Sequence, residues 1–155
     1  MLYRSLASLL VISTILSTQV RSEEAHEKWA KYLSGTWNWK SSDGNHGTVV
    51  FEPFSNTGAK TVKERCENLD ASTLMTQGWR PDKKAFGGAG YDSDGNYVET
   101  YFTQLTDTTM TGQRLRRSAS SETKEQWEVT RKTEDRYEIT VTIEGNAATV
   151  VVTRK

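Results

Sequence analysis

Residues 136–154 read RYEITVTIEGNAATVVVTR, and they decide the fold. Tyr137, Ile139, Val141 and Ile143 alternate with Glu138, Thr140, Thr142 and Glu144. Ala148, Val150, Val152 and Arg154 then share one face of the next stretch. Side chains on a strand point to opposite faces in turn, so this period of two predicts two strands, each dry on one face and wet on the other. Glu144-Gly145-Asn146 lies between them. Gly and Asn tolerate the positive φ that a tight hairpin needs, so the two strands are expected to be antiparallel neighbours.

The same punctuation recurs upstream, at Asp43-Gly44-Asn45 and Asp94-Gly95-Asn96. Pro81-Asp82-Lys83-Lys84 and Thr133-Glu134-Asp135-Arg136 are further turn signals. The segments between are rich in Thr, Val, Tyr, Trp and Gly and predict strands near 35–41, 46–54, 58–68, 72–80, 84–92, 96–105, 108–117, 122–132, 136–144 and 147–154. Only 24–33 (EAHEKWAKYL) breaks the pattern, with Ala25, Trp29, Tyr32 and Leu33 at helical spacing. Short connections make sequential strands pair. A long meander exposes two edges unless it closes on itself. The expected fold is therefore all-β: an up-and-down antiparallel barrel of about eight to ten strands with a short N-terminal helix, in one domain over 23–155.

The first residues read differently. Arg4 precedes an uncharged apolar run, Leu6 to Leu16, and Val20 and Ser22 fit the small-residue positions of a cleavage site. This is the layout of a secretory signal peptide over 1–22, and a secreted or periplasmic location follows from it. The alternative is an uncleaved anchor, for which the apolar run is short. Removal takes away Arg4 and Arg21 and no acid, so a chain balanced at 20 basic and 20 acidic side chains becomes slightly acidic. Such a charge does not suit nucleic acid, and no membrane span is expected after signal removal. Cys66 is the single cysteine, so no intramolecular disulfide supports the fold. A core-facing thiol is expected there, with an intermolecular bridge as the alternative. Oligomeric state is not legible.

Leu33-Ser34-Gly35-Thr36-Trp37 joins the helix to the first strand. This resembles the Gly-x-Trp opening of the calycins, the superfamily of lipocalins, fatty-acid-binding proteins and avidins. It looks closest to small lipocalin-like secreted bacterial proteins, which also carry a Gly-Trp-x-Pro segment, here Gly78-Trp79-Arg80-Pro81. The resemblance implies that Trp37 packs across one end of the barrel beneath an Arg from a late strand. Arg154 stands in the matching place, through a cation–π contact and hydrogen bonds to backbone carbonyls. Both are then structural residues. A ten-strand count resembles fatty-acid-binding proteins more than eight-stranded lipocalins, and the absent disulfide departs from many secreted lipocalins.

Chemistry-bearing motifs are sparse. The two histidines, His26 and His46, form no HExxH or Cys/His cluster, so no zinc is expected, and neither falls on a late strand, where the resemblance would place a haem ligand, so no haem is expected. Asp92-Ser93-Asp94-Gly95-Asn96 begins like a calcium loop but lacks the closing Glu at the required distance, and a hairpin turn is expected instead. Arg114, Arg116 and Arg117 precede a serine-rich turn and read as a solvated loop or a basic patch. No nucleophile elbow or phosphate-binding loop is present, so no catalytic residue and no cofactor is assigned.

The inward faces say more. Trp37 and Trp39 share a face, as do Val62, Glu64 and Cys66; Met75, Gln77 and Trp79; Tyr97, Glu99 and Tyr101; and Met110, Arg114 and Arg116. An interior with Glu64, Gln77, Glu99 and Arg114 among aromatics suits a pocket for a small polar or amphipathic molecule, because buried charge is costly unless paired. A register slip of one residue would turn any such set outward. The candidate ligand-binding residues are Trp39, Glu64, Trp79, Glu99, Tyr101 and Arg114. The expected function is an exported small-molecule-binding barrel. The alternatives are a protein-interaction module with a filled barrel, and an enzyme that uses Glu64 or Glu99 as acid or base.

Overall fold

The computed structural model describes residues 24–54 and 59–155. The signal-peptide reading of 1–22 lies outside them. A helix, α1, spans 24–33. Ten strands follow among the described residues: β1 (Gly35–Ser41), β2 (His46–Pro53), β3 (Lys60–Cys66), β4 (Ala71–Arg80), β5 (Ala85–Asp92), β6 (Tyr97–Leu105), β7 (Thr109–Arg117), β8 (Glu122–Thr133), β9 (Arg136–Ile143) and β10 (Asn146–Arg154). Every neighbour is antiparallel, and β1 pairs with β10, so the sheet is a closed up-and-down barrel. Closure leaves no unpaired edge. Among the described residues no helix is long and apolar enough to cross a membrane.

The turns form where the sequence places them. Gly44, Gly95 and Gly145 all have positive φ, and Glu144 joins Gly145 in that region. Two successive residues at positive φ make the tight hairpin between β9 and β10, pairing Ile143 with Asn146. On β5, Gly88 faces inward and lets the sheet bend sharply. A Cβ there would lie 1.8 Å from the Thr76 carbonyl oxygen of β4, so only glycine permits this approach.

The core is concentrated at one end. There α1 lies across the barrel and buries Trp29, Ala30, Tyr32 and Leu33 against Trp37, Phe86 and Tyr137. Trp37 is 0 % exposed. Burying aromatics of this size stabilises by roughly 2–3 kcal/mol each relative to leaving them in water. Two register shifts, at Phe102/Gln104 and Arg131/Thr133, fall on the strand ends nearest α1. Bulges add local twist, which helps the strands curl in beneath the helix.

One inward face is corrected. On β6 the pairs Phe86↔Phe102, Gly88↔Thr100 and Gly90↔Val98 put Val98, Thr100 and Phe102 inside. Tyr97, Glu99 and Tyr101 therefore point outward. Both faces of β6 carry bulky residues, so alternation alone did not fix the phase. Glu99 is still buried, because Arg80 and Lys83 close over it from the β4–β5 turn and Leu115 packs beside it on β7.

Candidate functional site

At the closed end two tryptophans, Tyr32 and Arg154 are fully engaged, while His26 Nδ1 on α1 is buried without a partner. Trp29 Nε1 donates to the Thr106 carbonyl at 2.7 Å, and Trp37 Nε1 donates to the Leu33 carbonyl at 2.8 Å. The Tyr32 hydroxyl lies 3.0 Å from the carbonyls of both Thr133 and Arg136. Arg154 sits 4.1 Å above the centre of the Trp37 ring. Its Nη1 donates to Ser34 O at 2.9 Å, its Nη2 to Tyr32 O at 3.0 Å, and its Nε to the Asp135 carboxylate at 3.0 Å. The guanidinium thus satisfies carbonyls that the end of α1 leaves without partners. Burial, with the Glu64 carboxylate adding to it, pushes the Tyr137 phenol well above its ordinary value, so this ring is a neutral part of the floor.

Above the floor the barrel holds a cavity of about 450 Å³. That volume is in the range of small-molecule sites. Its deeper wall is apolar, with Val49, Phe51, Val62, Met75, Phe102 and Met110. Its upper wall carries charge. Glu64 on β3 and Arg114 on β7 meet at 3.3 Å. These strands lie four steps apart round a ring of ten, so the ion pair spans the lumen. The Arg114 guanidinium also stacks over the Trp127 ring at 5.0 Å, and Trp127 Nε1 donates to Glu125 at 2.7 Å.

Nearer the mouth, Asp92 accepts from the Asp94 and Asn96 amides at 3.0 and 2.9 Å and from Arg116 Nε at 2.7 Å. Burial acts to raise its pKa, but the hydrogen bonds from Asn96 and Arg116 outweigh it and hold the carboxyl below its ordinary value. Asp92 is committed to capping its own hairpin turn, which agrees with the hairpin reading of 92–96.

Two buried polar atoms on residues that line this cavity have no partner. Trp39 Nε1 is a buried donor with no acceptor, and Gln77 Oε1 is a buried acceptor with no donor, on a side chain 8 % exposed. Native structures satisfy nearly all such groups, so an exception needs an explanation. A second concavity, of about 560 Å³, lies outside the closed end between α1 and the Asp107, Glu134 and Asp135 turns. Its charges are largely taken up with one another, as in Lys28–Asp107 at 2.9 Å and Arg154–Asp135 at 3.0 Å. The lumen is therefore the better candidate site.

Of the residues singled out from the sequence, Trp39, Glu64 and Arg114 come together in the lumen. Trp79 faces inward but sits beneath α1, stacked on His26 at 5.1 Å, and does not line the cavity. Glu99 and Tyr101 lie on the outer surface, where Lys83 bonds Glu99 and covers the Tyr101 ring at 5.1 Å. Neither Glu64 nor Glu99 is thus a lone carboxylate among apolar groups. Cys66 lines the cavity mouth, half-buried, 3.3 Å from the Asn68 side-chain oxygen.

Sequence reading missed Glu125, Trp127 and Thr100 as site residues. On β8 the signal was present, because Val129 in the alternation Glu125-Trp127-Val129 fixes which face is dry. On β6 the phase was the obstacle.

No protein-family model matches the chain, and no curated protein matches it. Similar solved structures are designed proteins. A redesigned β-barrel is 22 % identical with a TM-score of 0.43, covering 81 % of this chain and 94 % of that one. The redesigned barrel mFAP1, bound to DFHBI, is 21 % identical with a TM-score of 0.42, over 81 % and 97 %. A de novo fluorescence-activating β-barrel is 17 % identical with a TM-score of 0.39, over 81 % and 96 %.

Proposed function

We propose that this protein is an exported carrier or sensor that holds one small amphipathic molecule inside its barrel. The observation that carries the reading is a cavity of about 450 Å³ lined by two side chains, Trp39 and Gln77, whose buried Nε1 and Oε1 atoms have no partner. A barrel built only as a scaffold gains nothing from polar atoms that lack partners inside a void, since each costs about 1–3 kcal/mol. A ligand with a donor and an acceptor removes that cost when it binds. The deep apolar wall suits the body of such a molecule, and the charged upper wall suits its polar end.

Export is supported by the layout of residues 1–22. A calycin-like relationship is supported by Gly35-Thr36-Trp37 at the first strand and by Arg154 above Trp37.

The test is expression of the full chain in a secreting bacterial host, recovery from outside the inner membrane, and native mass spectrometry. The expected result is a chain that begins at Glu23 and carries an added mass lost on denaturation. A chain that stays uncleaved in the cytoplasm would end the export reading. If no mass is added, and no apolar fluorescent probe enters the purified protein, the binding reading ends.

A further inference from the structure

The charge inside the lumen is not balanced, and the imbalance has a sign. Three carboxylates line it (Glu64, Asp92 and Glu125), with exposed Asp43 at the rim, against two guanidiniums, Arg114 and Arg116. Both cations are taken: Arg114 by Glu64, and Arg116 by Asp92. Glu125 has no Lys, Arg or His nitrogen within 4.0 Å among the described residues, and its one hydrogen-bond partner there is Trp127 Nε1. An incoming anion would have to share Arg114 or Arg116 with the carboxylate it already pairs. Sharing weakens the existing pairs, at most cost for Asp92, whose side chain is 4 % exposed.

The strand register brings the acceptors together. Gln77, Gly88, Thr100, Arg114 and Glu125 are successive partners across β4 to β8 and form one row on the lumen wall. Lys60, the next partner beyond Gln77, does not line the cavity. Gly88 presents no side chain, so Gln77 and Thr100 flank a gap. Along this row lie an unpartnered buried amide oxygen, a buried hydroxyl and, past Arg114, an unpaired carboxylate. An ammonium offers up to three N–H donors and no acceptor, which is the complement of that row. Trp39 lines the same cavity, and an aromatic face adds attraction for a cation.

We propose that the lumen selects a positively charged small molecule, an organic amine with an apolar body, and disfavours carboxylates. This rests on the binding reading above and narrows it.

The test compares three probes that share one ring system and differ in charge: 1-naphthylmethylamine, 1-naphthylmethanol and 1-naphthoate. Each is titrated calorimetrically into the full folded protein at neutral pH. The amine should bind at least tenfold more tightly than the carboxylate, with the alcohol between them. Glu125→Gln should narrow the gap between amine and carboxylate, by weakening the amine more than the alcohol. Circular dichroism establishes that the variant keeps the barrel. Binding of the carboxylate as tightly as the amine, or a gap untouched by Glu125→Gln, would overturn the charge selection while leaving the barrel a binding protein. Failure of all three probes to bind would overturn both readings.

Discussion

The two ends of this barrel are made of similar residues and treated in opposite ways. At the closed end two tryptophans, two tyrosines and an arginine meet, and each tryptophan N–H has a named acceptor. In the lumen Trp39 has no acceptor, and Gln77, itself 8 % exposed, has no donor. Arg154 and Arg114 sharpen the contrast. Both lie over an indole ring, at 4.1 and 5.0 Å. Arg154 spends its remaining donors on backbone carbonyls, which fixes the helix to the barrel. Arg114 reaches across open space to Glu64 and spends its charge inside the lumen, on a carboxylate and not on the backbone. An aromatic–cation pair therefore does not define a role by itself. What the remaining donors reach decides whether the pair holds the fold or waits for a partner.

This contrast is broken most severely at the floor. Trp37→Ala opens a large cavity under α1 and should cost about 3–5 kcal/mol in chemical denaturation, the range for truncating a buried Phe or Trp. Arg154→Ala removes charged hydrogen bonds to the carbonyls of Tyr32 and Ser34 and should cost about 2–3 kcal/mol. In both variants the affinity for a lumenal probe should hold wherever the protein remains folded. A loss of affinity in Arg154→Ala with unchanged melting would reverse the assignment of roles to the two ends.

Glu99 separates the inside of the barrel from mere burial. Its side chain is 8 % exposed, yet it lies outside, bonded to Arg80 and Lys83. Glu99→Gln leaves two cations that are each about a third exposed and can rehydrate, so the loss should be about 1–2 kcal/mol. Probe affinity should stay within about twofold. A larger change in affinity would place Glu99 in the site after all.

The same residue marks how far the sequence could be read. The ten strands were legible because Gly44, Gly95 and Gly145 stand where three hairpins need positive φ, and because β9 and β10 alternate without ambiguity. Trp37 and Arg154 were legible as a pair through family resemblance. β6 was not, since Val98-Thr100-Phe102 and Tyr97-Glu99-Tyr101 are both plausible inner faces to alternation alone. Only the pairing with Gly88 and Gly90 on β5 fixes the phase. The Glu64–Arg114 pair joins residues fifty positions apart and depends on the number of strands between them, which no local pattern encodes. An unpartnered atom is harder still, because it is a statement about what every neighbour does.

Gln77 gives the smallest expected change in stability and the sharpest test, because its two effects have opposite signs. Gln77→Met keeps the length and volume of the side chain and removes a buried acceptor with no donor. The empty protein should become more stable, by about 1 kcal/mol, the low end of the cost of an unsatisfied buried polar group. A hydrogen bond from a charged donor to that oxygen is worth about 1.5–3 kcal/mol, so affinity for the naphthyl amine should fall about tenfold or more. At the closed end no substitution of Trp29, Tyr32, Trp37 or Arg154 should behave this way, since each of these polar groups already has its partner and its removal can only cost stability. Denaturant midpoint and probe titration on the same preparation read both effects. If Gln77→Met destabilises the empty protein, then the amide was already satisfied by water, and the lumen is a solvated interior instead of a site waiting for a ligand.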